Sequence, residues 1–430
     1  MKNANLFFIA LLLSTTSILS QPGWQQIFPG SGQNITSVHF ADQNTGMACG
    51  SNGLILKTTN GGANWTQQVS GVTLSLNQVK MYSTSVAIAG GQSQTILRTS
   101  NGGSNWSIVY QGSPANNSIQ NLCIFSTGGA AAFSQYYNVS EFTYIYRTTN
   151  YGLNWQVNQT YVPNRWIHFI DLNNGWAHGT THLGPPINQY YLDINRTLDG
   201  GANWGRISRS DGTSINPGMI YFYNEMVGFK YSHLGYVYLS RTNDGGYTWL
   251  GTGPSLTDII NCFFMVNAQK GWYVGDNSKI CMTTNSGANW IQQNSPVSSS
   301  LKEVYFIDEN TGWIAAGTSG ILKTTTGGIT EVRQLGTELP VVYMLSQNYP
   351  NPFNPETKIK FSIPATSSVA QTFLTVYNVL GQQVAVLVNQ NLQPGTYEVN
   401  WNAADLTSGV YFYTLKTEEY SKTKKMLLIK

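Results

Sequence analysis

The 430-residue chain predicts an all-β protein, a seven-bladed β-propeller followed by a small immunoglobulin-like β-sandwich. An eight-residue phrase ending in Trp returns at nearly even spacing, charge is scarce, and the carboxyl-terminal segment drops the phrase for alternating apolar strands. Charged residues make up 10% of the chain and aromatic residues 13%, with 43 glycines, against ~25% charged residues in an average soluble domain. That balance suits an exported, turn-rich β protein. Lys and Arg exceed Asp and Glu by only +3, and they are dispersed. A nucleic-acid binder needs a phosphate-neutralising stripe, so nucleic acid is excluded as a partner.

Lys2 precedes the apolar run Leu6 to Leu13, and small and polar residues follow to Ser20. This order is that of a secretory signal peptide over residues 1–20. The run is shorter than the ~20 residues needed to span a bilayer, and no later segment reads as a transmembrane segment. The four cysteines, Cys49, Cys123, Cys262 and Cys281, are assigned no bridge. Cys123 and Cys262 fall at one register of two different repeats, and Cys281 stands where Leu56 stands in the first, a place for a small buried hydrophobe.

Residues 22–333 carry the repeat. TTNGGANW ends at Trp65, and related phrases end at Trp106, Trp155, Trp204, Trp249 and Trp290; a degraded seventh copy, TTTGGITE, ends at Glu331. The Trp-to-Trp steps of 41, 49, 49, 45 and 41 residues match the ~40 to 50 of one four-stranded blade. Each repeat opens on a β-rich run into a turn such as FADQNTG, where Asp42, Asp171 and Asp308 recur as turn formers. A third strand then enters the phrase, and its Trp starts the fourth strand with a buried ring. The seventh copy lacks that Trp, but Gly23 to Ile27 (GWQQI) nearly copies the NWTQQV after the first phrase. The amino terminus is therefore expected to supply the last blade's fourth strand and close the ring.

Repeats three and four are the longest, and their extra residues fall in the second hairpins, SQYYNVSEFTY and THLGPPINQYY. The second turns lie on the face opposite the Asp turns and the Trp phrases. The expected ligand-binding residues are Tyr136, Tyr137, His178, His182, Tyr190 and Tyr191, joined by Tyr161 and Arg165, since aromatic residues on loops serve recognition. His178 and His182 read as surface histidines, and no metal or cofactor is expected. A basic residue precedes the phrase in six of seven repeats (Lys57, Arg98, Arg147, Arg196, Arg241 and Lys323); this register places each one beside its own blade's turn.

The Trp phrase resembles the Asp-box, or bacterial neuraminidase repeat, and the whole unit is similar to the propeller of the photosystem II stability and assembly factor family. The resemblance implies fold, because related boxes occur in sialidases, other glycosidases and non-catalytic binders. A sialidase-like arginine cluster is not apparent and no Phe-Arg-Ile-Pro stretch occurs. The non-repeat candidates for a catalytic carboxylate pair are Glu141, Asp193, Asp211, Glu225, Asp258 and Asp276; a glycosidase would need two of them ~5 to 9.5 Å apart. The expected function is a secreted or cell-surface binding protein for a glycan or envelope protein, a monomer, with a secreted glycoside hydrolase of propeller fold as the alternative.

Residues 334–345 lose the repeat and read as a linker. Residues 346–430 begin with proline-punctuated sequence and continue as strands, TFLTVYNVLGQQVAVLV, GTYEVNWNA, SGVYFYTLKT and KTKKMLLIK. Asn348-Tyr349-Pro350-Asn351-Pro352-Phe353, Val376-Tyr377-Asn378 with Leu380-Gly381-Gln382, Gly395-x-Tyr397, Leu406-x-Ser408-Gly409-Val410-Tyr411 and Lys424-Lys425-Met426 follow in order. Together they resemble the carboxyl-terminal sorting domain of the type IX secretion system. The resemblance implies that the secretion machinery is a partner and that the chain passes through the periplasm to the outer surface or the medium.

Overall fold

The computed structural model describes residues 23–30, 32–112, 117–135, 143–160, 166–183, 189–212, 216–233, 237–252, 259–328, 333–336, 338–366, 370–403 and 406–430. They form two compact units, one built on Gly23–Ile329 and one on Thr330–Leu374 with Leu387–Lys430. The expected signal peptide lies outside the described residues.

The first unit consists of seven four-stranded antiparallel sheets. In blade 1, Ile35–Phe40 lies innermost, followed by Gly46–Gly50, Ile55–Thr58 and, outermost, Thr66–Gln68. Burial falls along that order. The inner three strands are almost wholly covered while the outermost alternates toward solvent, as a sheet edge should. The Asp turns form as the sequence implies. Asp42 Oδ1 accepts the Asn44 and Thr45 N–H groups at 2.8 and 2.6 Å, and Asp171 and Asp308 repeat the pattern. The Thr45 and Asn44 amides hold the Asp42 carboxyl below its ordinary pKa.

The Trp phrase is a second, tighter lock. Thr58 Oγ1 accepts Gly62 N–H at 2.9 Å and donates to Asn60 Oδ1 at 3.0 Å, and that oxygen accepts Asn64 N–H at 2.9 Å. Gly61 and Gly62 take φ of 68° and 93°, where a Cβ is costly. The phrase tryptophans differ from expectation, for Trp65, Trp106, Trp155, Trp204, Trp249 and Trp290 are only half-buried. They lie at the outermost strand and cover the blade edge-on, as Trp65 does against Phe40 with ring centroids 5.9 Å apart.

Three fully buried indoles come from the second strand of their blades and join neighbouring blades. Trp313 of blade 7 stacks on Phe40 of blade 1 at 3.6 Å, Trp176 of blade 4 on Phe222 of blade 5 at 3.9 Å, and Trp272 of blade 6 on Phe306 of blade 7 at 3.5 Å. Each indole N–H then donates to a glycine carbonyl in the next blade's phrase, Gly61, Gly245 or Gly327, at 3.3, 2.8 and 3.1 Å. The pattern combines an apolar interface with a satisfied buried donor.

Ring closure follows the sequence reading. Gln25–Phe28 pairs antiparallel with Ile321–Thr324 as the outermost strand of blade 7. Trp24 is 1% exposed, donates to Gln293 Oε1 at 2.9 Å, and sits against Gly328 as Trp65 sits against Gly62. It takes the place of the tryptophan missing from the seventh phrase.

The second unit holds two four-stranded sheets. Arg333–Gln334, Gly395–Asn402, Glu356–Ile363 and Met344–Leu345 form one in that order; Gln383–Leu392, Ala370–Tyr377, Gly409–Lys416 and Ser421–Leu428 form the other. The segment 334–345 is thus not a plain linker. Its two ends are short strands of the first sheet, paired with Tyr397 and Phe361. Two residues per strand leave too little periodicity for a sequence to show. Asn348 Nδ2 donates to the Pro350 carbonyl and to Thr357 Oγ1, both at 3.0 Å, so the proline-rich opening is tied back to the sheet. Ser421–Leu428 is an edge strand with Lys422 and Lys425 exposed.

Candidate binding site

The second hairpin of blade 4 is the longest in the ring, with Gly175–Leu183 paired to Gln189–Thr197. Gly205–Gly212 extends alongside it, so the projecting strands are held on both edges. Tyr190 is 43% exposed. Tyr191, one residue on, must face the other side of a strand; its ring lies 4.3 Å from the Arg209 guanidinium and its hydroxyl donates to Gln189 Oε1 at 3.0 Å. Arg209 also clamps Asp193 through two oxygens, at 2.7 and 2.8 Å, and Thr181 donates to Asp193 at 2.6 Å. Burial would raise the Asp193 pKa, but the hydrogen bonds from Arg209 and Thr181 outweigh it and leave the carboxyl below its ordinary range.

Two of the expected site residues therefore share one hairpin but not one surface. His178 is not a surface histidine: it is fully buried, and its Nδ1 lies 3.0 Å from the Gly218 carbonyl of blade 5. Burial and the nearby Lys230 charge push its pKa down to about 3. The alternation of a long strand puts this position on the inter-blade side. The His182 backbone pairs with Tyr190, while its side chain lies outside the described atoms, as do Tyr136, Tyr137, Tyr161 and Arg165.

A cavity of about 330 Å³ occupies the axis. One register of the seven inner strands supplies His39, Lys80, Cys123, His168, Tyr221, Phe264 and Tyr305. Lys80 pairs with Glu303 at 2.5 Å, and Glu303 also accepts Val38 N–H at 2.9 Å. Burial opposes the Lys80 charge, yet the Glu303 charge and hydrogen bond raise its pKa overall. Burial holds His168 neutral, with its pKa lowered to about 4, and Nε2 lies 3.0 Å from the Phe222 carbonyl. These polar groups are already engaged in holding inner strands together. Among the described non-repeat carboxylates, Asp193 is clamped within blade 4, Glu225 meets Arg196 at 3.2 Å, and Asp276 accepts from Asn261 and Ser300 near blade 7.

In the basic register before the phrase, Arg241 stays beside its own blade's turn as expected, donating to Asn243 Oδ1 at 2.9 and 3.0 Å, whereas three others reach further. Lys323 Nζ donates to the Gly61 carbonyl at 2.8 Å, Arg98 Nε to Tyr151 at 2.8 Å, and Arg147 Nη2 to Leu172 at 2.6 Å. Each reaches the next blade, where a carbonyl-rich turn accepts a long cationic donor. Lys230 departs from all of these. It is 9% exposed, has no carboxylate partner among the described residues, and sits 4.9 Å from the Trp249 ring.

Residues 347–430 match the secretion system C-terminal sorting domain family, and residues 16–183 match the family of photosynthesis system II assembly factor YCF48. The propeller is similar to the YCF48 family and the tail to the sorting-domain family. A solved structure of YCF48 bound to D1 peptide is 19% identical, with TM-score 0.50, over 72% of this chain and 98% of that one. YCF48 from Cyanidioschyzon merolae is 18% identical, with TM-score 0.51, over 70% and 98%. Among curated protein sequences none matches the chain. The tail marks the propeller for the type IX secretion machinery and for export to the cell surface or medium. No helix among the described residues is long and apolar enough to cross a membrane.

Proposed function

We propose that the protein is an exported, non-catalytic binding propeller that recognises a glycan or an envelope protein outside the cell, delivered by a signal peptide at residues 1–20. The observation that carries this reading is the blade 4 hairpin. It projects beyond the standard blade, it is braced by the Asp193, Arg209 and Tyr191 network, and it presents Tyr190 to solvent. A rigid strand with an exposed aromatic residue suits recognition, because little conformational freedom is lost on contact. The separate engagement of Asp193, Glu225 and Asp276 supports binding over hydrolysis, which needs a facing carboxylate pair. The solved propeller of like fold that holds a peptide supports a protein segment as one ligand class.

The test is capture of envelope glycans and envelope proteins by the full chain, compared with a variant carrying Tyr136→Ala, Tyr137→Ala and Tyr190→Ala. A drop of about tenfold or more, roughly 1.4 kcal/mol, with unchanged folding is the expected result. Equal capture by the variant would reject the hairpin surface, and turnover of a captured glycan would reject the non-catalytic reading.

A further inference from the structure

The phrase of blade 3 reads TTNYGLNW, and its Tyr151 adopts φ 57°. The other phrases place Gly61, Gly102, Gly200, Gly245, Ser286 or Gly327 at that position, all with positive φ. The turn thus requires a left-handed residue, and an aromatic side chain there is strained. Nothing in the repeat calls for it. Strain of this kind concentrates where a side chain serves recognition.

The ring of Tyr151 is held in place. It meets Tyr82 edge-on at 5.3 Å, and it lies so close over Gly128 that a Cβ on that glycine would stand 2.8 Å from it. Tyr82 is fixed in turn by donation to the Gly129 carbonyl at 3.1 Å, and Arg98 secures the Tyr151 carbonyl at 2.8 Å. Tyr151 remains 47% exposed, so one part of a preset aromatic surface is open to solvent.

Beside it lies a cavity of about 560 Å³, which shares His39, Ile124, Phe125 and Tyr305 with the axial cavity. That volume falls in the ~300 to 1,000 Å³ range of small-ligand sites. Ser83, Ser126 and the three tyrosines Tyr82, Tyr151 and Tyr305 belong to the lining, and among the described residues no Lys, Arg, Asp or Glu lines it. His39 is neutral, its pKa held well below the ordinary value by burial and then by Lys80. Its Nδ1 accepts Met81 N–H at 3.3 Å, which places the ring proton on Nε2 as a donor. The site therefore combines aromatic rings, serine and tyrosine hydroxyl oxygens and a neutral imidazole, all without formal charge.

We infer that this cleft between blades 2 and 3, on the face of the Asp turns and Trp phrases, binds a neutral sugar chain, with one sugar ring stacked on Tyr151. A charged glycan would find no counter-charge in the lining, and a sugar matches both the apolar ring and the dense hydroxyl set. The inference rests on the exported binding role proposed above but places a ligand on the opposite face from the blade 4 hairpin.

The test uses the full chain and titrates it calorimetrically with the neutral hexasaccharides of cellulose, laminarin, xylan and mannan, and with trigalacturonate as the acidic probe. At least one neutral hexasaccharide should bind with Kd of about 1 mM or tighter, and trigalacturonate should not. Tyr151→Gly restores the residue the turn prefers, so it should fold normally and bind at least about tenfold more weakly; Tyr151→Phe should stay within about threefold of the unaltered protein. Val69→Ala, at an exposed position of blade 1 outside both proposed sites, should bind as the unaltered protein does. Failure of every neutral probe, or binding indifferent to Tyr151→Gly, would overturn the cleft. Loss on Tyr190→Ala with no loss on Tyr151→Gly would also overturn it while leaving the binding role standing.

Discussion

Trp24→Ala tests the ring closure most directly. The side chain is 1% exposed, packs edge-on against Phe306 at 5.7 Å and donates to buried Gln293 at 2.9 Å. Truncating a buried Trp costs ~3 to 5 kcal/mol through lost burial and the cavity left behind, and stranding the Gln293 acceptor adds about 1 kcal/mol. The expected loss is therefore about 4 to 6 kcal/mol. For a unit of this size it lowers the propeller's melting temperature by on the order of 10 °C. Trp65→Ala is the internal control. Trp65 holds the corresponding place in blade 1 but is half-buried, and its indole N–H has no partner among the described residues, so about 2 kcal/mol is expected. Calorimetry of the full chain and both variants measures the difference. If Trp24→Ala shifts the propeller transition no further than Trp65→Ala, the amino-terminal strand does not secure the ring as argued.

Lys230 makes a prediction with a pH signature. Burial without a counter-charge lowers its pKa from the ordinary 10.5 to about 8. Between those values the unfolded chain binds more protons than the folded one, so this residue's contribution to stability should rise as pH climbs from about 8 toward 10.5. Lys230→Met should remove that rise and stabilise the protein at pH 7 by on the order of 3 kcal/mol, read from denaturant titrations at several pH values; an unchanged pH slope would refute it. Export is tested by truncation after Ile329, the boundary between the two units. The shortened chain should remain in the periplasm of a host with the secretion system, while residues 330–430 fused to an unrelated periplasmic protein should carry it outside. Fractionation showing the reverse would refute the role of the tail.

The blade order, the Asp turns and the closing strand were legible because each is written in local chemistry that recurs from one repeat to another. Asp42 answers two amides within three residues, and GWQQI declares itself by likeness to NWTQQV. What the sequence concealed depends on partners in another blade. Lys323 and Arg98 look local, yet their acceptors belong to neighbouring turns. His178 looked like a loop histidine until the length of Gly175–Leu183 placed it inside the strand and under blade 5. Tyr190 and Tyr191 looked like one aromatic patch, though strand alternation alone separates them. Tyr151 could have been found by aligning the phrases and asking which residue occupies a glycine position without being small. The clue was a departure from the repeat, whereas the hairpins stood out by length.

The blade shared by Gln25–Phe28 and Ile321–Thr324 also sets the order in which the chain can finish folding. The first of the described strands in chain order waits for a partner nearly three hundred residues later. Closing so long a loop carries an entropy cost that grows only slowly with length, but it cannot begin before the partner exists. The last blade is therefore completed just as the tail follows it out. A chain cut short anywhere within the ring would present both an unpaired strand and no export label, so incomplete products would be left behind on two separate counts.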